Sequence, residues 1–459
     1  MKFMGRSKIA KACGEVINIL IIHPSGRFHG SGFYLQVFSE YLVGKGNSVL
    51  MLAEGECPYS ENGVEWERII FNKGLLSKRL CKKIAMFKPD LVLQVGVRTK
   101  PIRAALEVVS KYDVPIVVQC EDDEYEPFLK HTSYASTRIL DTFNRGANLT
   151  EFWKYLYLYR FIFGLKVLAN PNFNRWVEPF LRSVIFRFAS ACSGIWYPMM
   201  ERVEGMFGKP VFLFPPLESM EGLKKMAPRE GKGDFFYRYG LDIEDYVLFI
   251  SGTIYDYSPE FKIFLDVLNS LKVNLKLALV IAGRNVAMGE ASIREHLNHK
   301  IKFVSMNSPG NNDYLLMNKY CDLICVPGFN DSFNKYRMSS RLVKAMYFNK
   351  KIFTYKTGFG ESLLDTPGVY LTQKDTGDEW LPILERAIKD PISPNYNLIL
   401  KRFEVSVQGE EIEQRLKELV VSHKKNFLKL MFFKLFCATS FLLNTCVYEP
   451  YSRVKNVGG

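Results

Sequence analysis

The chain has 459 residues, 47% of them hydrophobic and 24% charged, which is enough apolar material for two or more globular cores and excludes a disordered protein. Lys and Arg number 61 against 48 Asp and Glu, a net charge of +13, so phosphates, anionic lipid and other acidic partners are favoured. Nine cysteines, at 13, 57, 81, 120, 192, 321, 325, 437 and 446, show neither metal-ligand spacing nor an even count, which argues for a reducing compartment and no metal centre. Cys321 and Cys325 fall within one predicted strand and read as small core residues. No apolar run reaches the roughly 20 residues of a spanning helix, and none of signal-peptide type precedes Val16, so the chain is expected to be cytoplasmic, with a membrane surface as a candidate contact.

The first predicted strand is Val16 to Ile22, followed by His23 and a glycine-bearing turn, Arg27-Phe28-His29-Gly30-Ser31-Gly32, that opens a helix from about Phe33 to Val43. Strands at Ser48–Ala53, Leu91–Val95 and Pro115–Cys120 then alternate with helices at Lys78–Phe87 and Ile102–Lys111. Alternation with short connections predicts a parallel, doubly wound sheet. From about 125 to 190 the alternation lapses into an aromatic and basic stretch that includes Trp153, Tyr155, Tyr157, Arg160, Lys166, Trp176 and Arg182. It is expected to be a helical insertion, either packed on the sheet or lying at a membrane interface. A strand at Gly194–Tyr197, a helix at Met199–Phe207 and a strand at Val211–Phe214 complete the first domain, 1–216, and a polar linker, 217–240, follows.

The grammar restarts in a second domain, 241–425. Strands are predicted at Tyr246–Ser251, Leu277–Ala282, Lys302–Val304, Leu323–Val326 and Ile352–Tyr355, with helices between them. The fold class is therefore α/β, with two Rossmann-like domains and a ligand cleft expected between them. Within the loop from Pro327 to Met346, Ser339 and Ser340 stand at a helix start, where unpaired backbone N–H groups and the Arg341 guanidinium suit a diphosphate. After 426 the segment Phe427–Leu443 is predicted to be helical, either packing back on the first domain or lying at a membrane interface.

Several stretches carry a resemblance to a known family. Gly30-Ser31-Gly32 with the later Gly44-Lys45-Gly46-Asn47-Ser48-Val49, Val211-Phe212-Leu213-Phe214-Pro215-Pro216, Leu279-Val280-Ile281-Ala282-Gly283, and Arg341-Leu342-Val343-Lys344-Ala345-Met346 with Asn349-Lys350-Lys351-Ile352 resemble the corresponding segments of two-domain GT-B glycosyltransferases, and among them the nucleotide-sugar enzymes of family 4. The resemblance spans nearly the whole chain and implies transfer of a sugar from a nucleotide donor. It also exposes a departure: the family's two glutamates, eight positions apart, fall on Tyr336 and Lys344.

The expected donor residues are Gly252, Thr253, Arg284, Ser339, Ser340, Arg341, Lys344 and Glu361. Arg341 and Lys344, three positions apart, would make one helix face doubly cationic. Candidate catalytic carboxylates are Asp122 and Glu121, just after the Pro115–Cys120 strand, and Asp331 in the second-domain loop. His23, Gly30 and Gly32 are placed on the acceptor side. No metal or cofactor is expected beyond the nucleotide-sugar substrate, and the acceptor is expected to be a glycan or a polyprenyl or other lipid-linked sugar. The alternative is a non-catalytic binding or partner subunit of the same fold, which the altered glutamate positions favour. A dinucleotide fingerprint is disfavoured, because Leu35 stands where that pattern requires glycine, and no nucleic-acid-binding module is visible.

Overall fold

The computed structural model describes residues 16–24, 26, 31–55, 59–72, 75–121, 185–226, 229–252, 259–283, 286–424, 430–431 and 434. The aromatic and basic insertion before residue 185 and nearly all of the segment after 424 therefore lie outside the described residues. The chain divides into two compact units, Met1–Leu217 with Val405–Gly459, and Glu218–Glu404.

The first unit contains strands β1 (Asn18–His23), β2 (Ser48–Ala53), β3 (Tyr59–Glu61), β4 (Val64–Arg68), β5 (Leu91–Val95), β6 (Ile116–Cys120), β7 (Ala191–Gly194) and β8 (Val211–Leu213). They form one sheet in the order β8-β7-β6-β5-β1-β2-β4-β3, parallel except for the antiparallel edge strand β3. Strands β5, β6 and β7 are buried along their whole length, their mostly apolar sequences interrupted by the buried polar residues Gln94, Gln119 and Ser193, as befits a sheet with helices on both faces. Those helices include α1 (Gly32–Gly44), α2 (Lys78–Phe87), α3 (Thr99–Tyr112) and α4 (Tyr197–Phe207). The β3–β4 hairpin, absent from the sequence expectation, turns on Asn62 and Gly63, both at positive φ, and buries Val64 and Trp66 in alternation.

In the second unit, α5 (Met220–Met226) and α6 (Lys232–Arg238) occupy the region expected to be a linker. Strands β9 (Tyr246–Ser251), β10 (Leu277–Gly283), β11 (Lys302–Asn307), β12 (Leu323–Val326), β13 (Lys351–Tyr355) and β14 (Val369–Thr372) form a wholly parallel sheet in the order β11-β10-β9-β12-β13-β14. Its helices are α7 (Pro259–Ser270), α8 (Val286–His296), α9 (Asn311–Tyr320), α10 (Ser332–Lys335), α11 (Ser340–Tyr347) and α12 (Gly377–Lys389). Phe264, Phe353 and Trp380 anchor a core between α7, α12 and the sheet. Cys321 and Cys325 are wholly buried, and burial pushes the Cys321 thiol up to about 12, as inert core residues require.

The last described helix, α13 (Val405–Ser422), belongs to the first unit, so the return begins at Val405 and not after 425. Val405, Ile412 and Leu416 enter the core formed by α1 and the first sheet. Asn47 donates to Glu413 at 2.8 Å, and Gly409 brings the helix against the Tyr41 ring, where an added Cβ would lie 3.0 Å from ring atoms. Among the described residues no helix is long and apolar enough to cross a membrane. Leu416→Ala would leave a cavity at a fully buried site and should cost about 2–5 kcal/mol, read as a lowered urea midpoint for the first unit. An unchanged midpoint would show that α13 is not part of this core.

Candidate functional site

A parallel sheet delivers every strand's carboxyl end to one edge, where the following loops and helix starts gather chemistry. In the first unit this edge brings together residues of β1, β6 and α1. His23 ends β1 and has no exposed surface, so the acceptor contact expected of it gives way to a hydrogen bond: its Nε2 lies 2.7 Å from Ser31 Oγ. Ser31 in turn donates to Glu121 Oε2 at 2.6 Å, and Tyr34 donates its hydroxyl to Glu121 Oε1. Gln119, buried in β6, donates to the Tyr34 oxygen at 2.9 Å and to the Phe214 carbonyl at 3.2 Å. Glu121, directly after β6, and Ser31 are the partly exposed members of this network; His23, Tyr34 and Gln119 are buried.

In the second unit, β9 ends at Ser251 and Gly252. Gly252 has φ +125°, a conformation that side chains rarely adopt, and an added Cβ would lie 2.8 Å from Arg341 Nη1. The guanidinium therefore sits over a bare backbone. Its Nη1 donates to the Ser251 carbonyl and its Nε to Ser339 Oγ at 2.9 Å. Ser339 is the N-cap residue of α11, yet its side chain makes no capping bond; it holds Arg341 instead. Backbone N–H groups of a helix start and a fixed guanidinium make an anion site.

Lys344 does not extend that cationic face. It is buried on α11 and pairs with Glu218, Nζ to Oε1 at 2.5 Å, with side chains 10% and 6% exposed. Burial works against the ammonium, but the Glu218 charge, the Tyr314 hydroxyl and the hydrogen bond to Glu218 outweigh it and raise its pKa above the usual lysine value. The doubly cationic face expected from the spacing is thus one guanidinium beside one neutralised pair.

With this geometry in hand, comparison with known proteins fixes the architecture. No family model matches the chain, and no curated protein resembles it closely in sequence. Solved structures do match. Anabaena HepE in complex with UDP and glucose superposes with a TM-score of 0.56 at 15% identity, covering 88% of this chain and 100% of that one. The catalytic domain of starch synthase IV from Arabidopsis thaliana, bound to ADP and acarbose, gives 0.54 at 12% identity over 93% and 100% of the two chains. WaaG, a glycosyltransferase involved in lipopolysaccharide biosynthesis, gives 0.53 at 10% identity over 91% and 99%.

The chain has the GT-B fold. On that fold the remaining predicted residues distribute as follows. Ser340 opens α11 and Gly32 opens α1, the latter buried. Asp331 caps α10, accepting from the Asn334 amide at 2.8 Å. Glu361 lies exposed in the 3₁₀ turn Gly358–Leu363, which packs by way of Gly358 against the Asn334 carbonyl. Asp122, Thr253, Arg284 and Gly30 lie outside the described residues. Five participants were not anticipated: Ser31, Tyr34, Gln119, Ser251 and Glu218. Nothing in the sequence links Tyr34 to Glu121, or Glu218 to a lysine on α11.

Removing one member of the Lys344–Glu218 pair strands a buried charge. Lys344→Met should therefore cost about 3–5 kcal/mol, while the double variant Lys344→Met/Glu218→Leu should recover most of that loss in chemical denaturation. Because the folded-state lysine pKa is raised above 10.5, its contribution is fully present below that pH and is lost as pH rises through the folded value.

Proposed function

We propose that this protein is a glycosyltransferase that moves a sugar from a nucleotide-sugar donor to a glycan or lipid-linked acceptor, in the assembly of cell-surface polysaccharide or glycoconjugate. The observation that carries this reading is the Arg341 guanidinium, fixed over Gly252 by the Ser251 carbonyl and Ser339. A sugar leaves its anomeric carbon only if the departing nucleoside diphosphate is stabilised. Arg341 supplies a fork of donors with the geometry of a phosphate, and the start of α11 supplies backbone N–H groups beside it. Glu121 is the group that meets the acceptor, taking a hydrogen bond from the attacking hydroxyl and, where the transfer inverts configuration, its proton.

The solved structures with this fold support the reading by what they hold: HepE with UDP and with UDP-glucose, and starch synthase IV with ADP. The aromatic and basic stretch at 125–190 and the segment 427–443 are the candidate contacts with the membrane surface that a lipid-linked acceptor would require, on the cytoplasmic side. A second reading, a non-catalytic GT-B subunit, is favoured by one observation: the two positions where the family carries glutamates hold Tyr336 and Lys344, and Lys344 is spent on Glu218.

Incubation with UDP-, GDP-, ADP- and dTDP-sugars, with nucleotide release as the readout, separates the two readings. A transferase should release nucleotide slowly even to water, whereas a non-catalytic subunit should release none. Calorimetric titration with the matching nucleoside diphosphate should show that Arg341→Ala loses a charge-assisted contact worth about 1.5–3 kcal/mol, roughly 10- to 150-fold in Kd. Unchanged affinity in that variant would remove Arg341 from the donor site.

A further inference from the structure

We propose that Ser31 and Tyr34 are positioning residues for the Glu121 carboxylate, and that His23 and Gln119 act through them. This rests on the reading of Glu121 as the group that meets the acceptor, and it identifies what holds that group. The first support is proton accounting. A serine hydroxyl has one proton, and Ser31 gives it to Glu121 Oε2, so the 2.7 Å contact to His23 is a donation from Nε2–H to Ser31 Oγ. On the other arm Tyr34 gives its proton to Oε1, and the Gln119 amide donates to the phenol oxygen. Each carboxylate oxygen thus receives a hydroxyl that is itself polarised by a buried N–H donor. Two protons are given to Glu121 and two to the hydroxyls that hold it, an arrangement suited to an ionised carboxylate.

The second support is a local rule that is broken. Ser31 stands at the N-cap of α1 with no side-chain capping bond, although serine is favoured there because its oxygen accepts an amide of the first turn. Ser77 at the start of α2 does accept such a bond, from the Leu80 amide. Ser31 bridges His23 and Glu121 in place of a capping bond, the kind of broken local rule that functional positions carry. The third support is burial. His23 and Gln119 are fully enclosed on the central strands β1 and β6, so the two arms are anchored in the rigid part of the unit. A carboxylate on a loop after β6 gains the orientation that transfer to a hydroxyl needs.

The test uses the full chain and nucleotide release from its preferred nucleotide sugar. Ser31→Ala and Tyr34→Phe should each lower kcat by about 10- to 100-fold with the donor KM unchanged, the size expected for a misoriented group. Ser31→Thr, which keeps the hydroxyl, should restore most of the rate. Ser31→Ala added to Glu121→Gln should slow the enzyme no further, because both act through one carboxylate. A wild-type kcat in Ser31→Ala, or a further loss in the double variant, overturns the proposal. If no donor is turned over by the wild type, the transferase reading fails separately. Thermal unfolding of the wild type, Ser31→Ala, Glu121→Gln and their double variant then decides: a double variant no less stable than the weaker single supports the network, and additive losses overturn it.

Discussion

Both units are governed by one constraint, the parallel sheet. Strands buried on both faces must be joined by crossovers, and every crossover leaves from the same edge. Glu121 at the end of β6 and Ser251 at the end of β9 occupy equivalent places for this reason, each at a strand's carboxyl end and each tied to the start of a neighbouring helix. In the second unit the constraint tightens further. A backbone turning at φ +125° with a guanidinium packed on it admits only glycine, so Gly252 is what permits Arg341 to lie against the strand end.

The two helix starts at these edges depart from ordinary capping in the same manner. Ser31 and Ser339 both stand at N-caps, and both lend their oxygens to a charged side chain: Glu121 in one unit, Arg341 in the other. Ser77 and Asp331 cap in the usual way, while Thr376 at the start of α12 makes no side-chain capping bond. A capping bond contributes about 1 kcal/mol, small against the value of fixing a charge at a site where charge develops. The pattern links local structure to chemistry without reference to any relative.

Most of the strands were legible in the sequence because their signal is local, although the one expected at Gly194–Tyr197 lies at Ala191–Gly194 and β14 was not expected. Tyr246–Ser251 and Leu323–Val326 are short apolar β-branched runs with turn residues after them, and the observed strands have the same limits. The hairpin at 59–68 was missed although Asn62-Gly63 is a strong turn signal, because Glu65, Glu67 and Arg68 mask the alternation of Val64 and Trp66. The allegiance of helix α13 was not legible: Ile412 and Leu416 would suit any apolar face, and only the packing against α1 assigns them. At the site, Arg341 and Glu121 could be picked out as charges at strand-end loops. Their holders could not, since Ser31 to Glu121 spans 90 residues and Glu218 to Lys344 spans 126.

The lysine at 344 is where sequence and structure bear on each other most directly. A glutamate there would lie one helical turn from Arg341, close enough for its charge to offset the guanidinium's attraction for a diphosphate. Lysine alone would reinforce that attraction, at the cost of an unpaired charge in a buried place. Neither situation holds, because Glu218 arrives from the opening of the second unit and brings the pair to net zero. The chain there is itself pinned: the Glu218 amide donates to the Phe403 carbonyl and the Met220 amide to the Glu404 carboxylate. A buried pair is a poor source of stability compared with apolar residues of the same volume, so its value lies in fixing register. Lys344 holds the first residues of the second unit against α11, and Arg341, one turn earlier, keeps its charge undiminished by a neighbouring carboxylate on that helix.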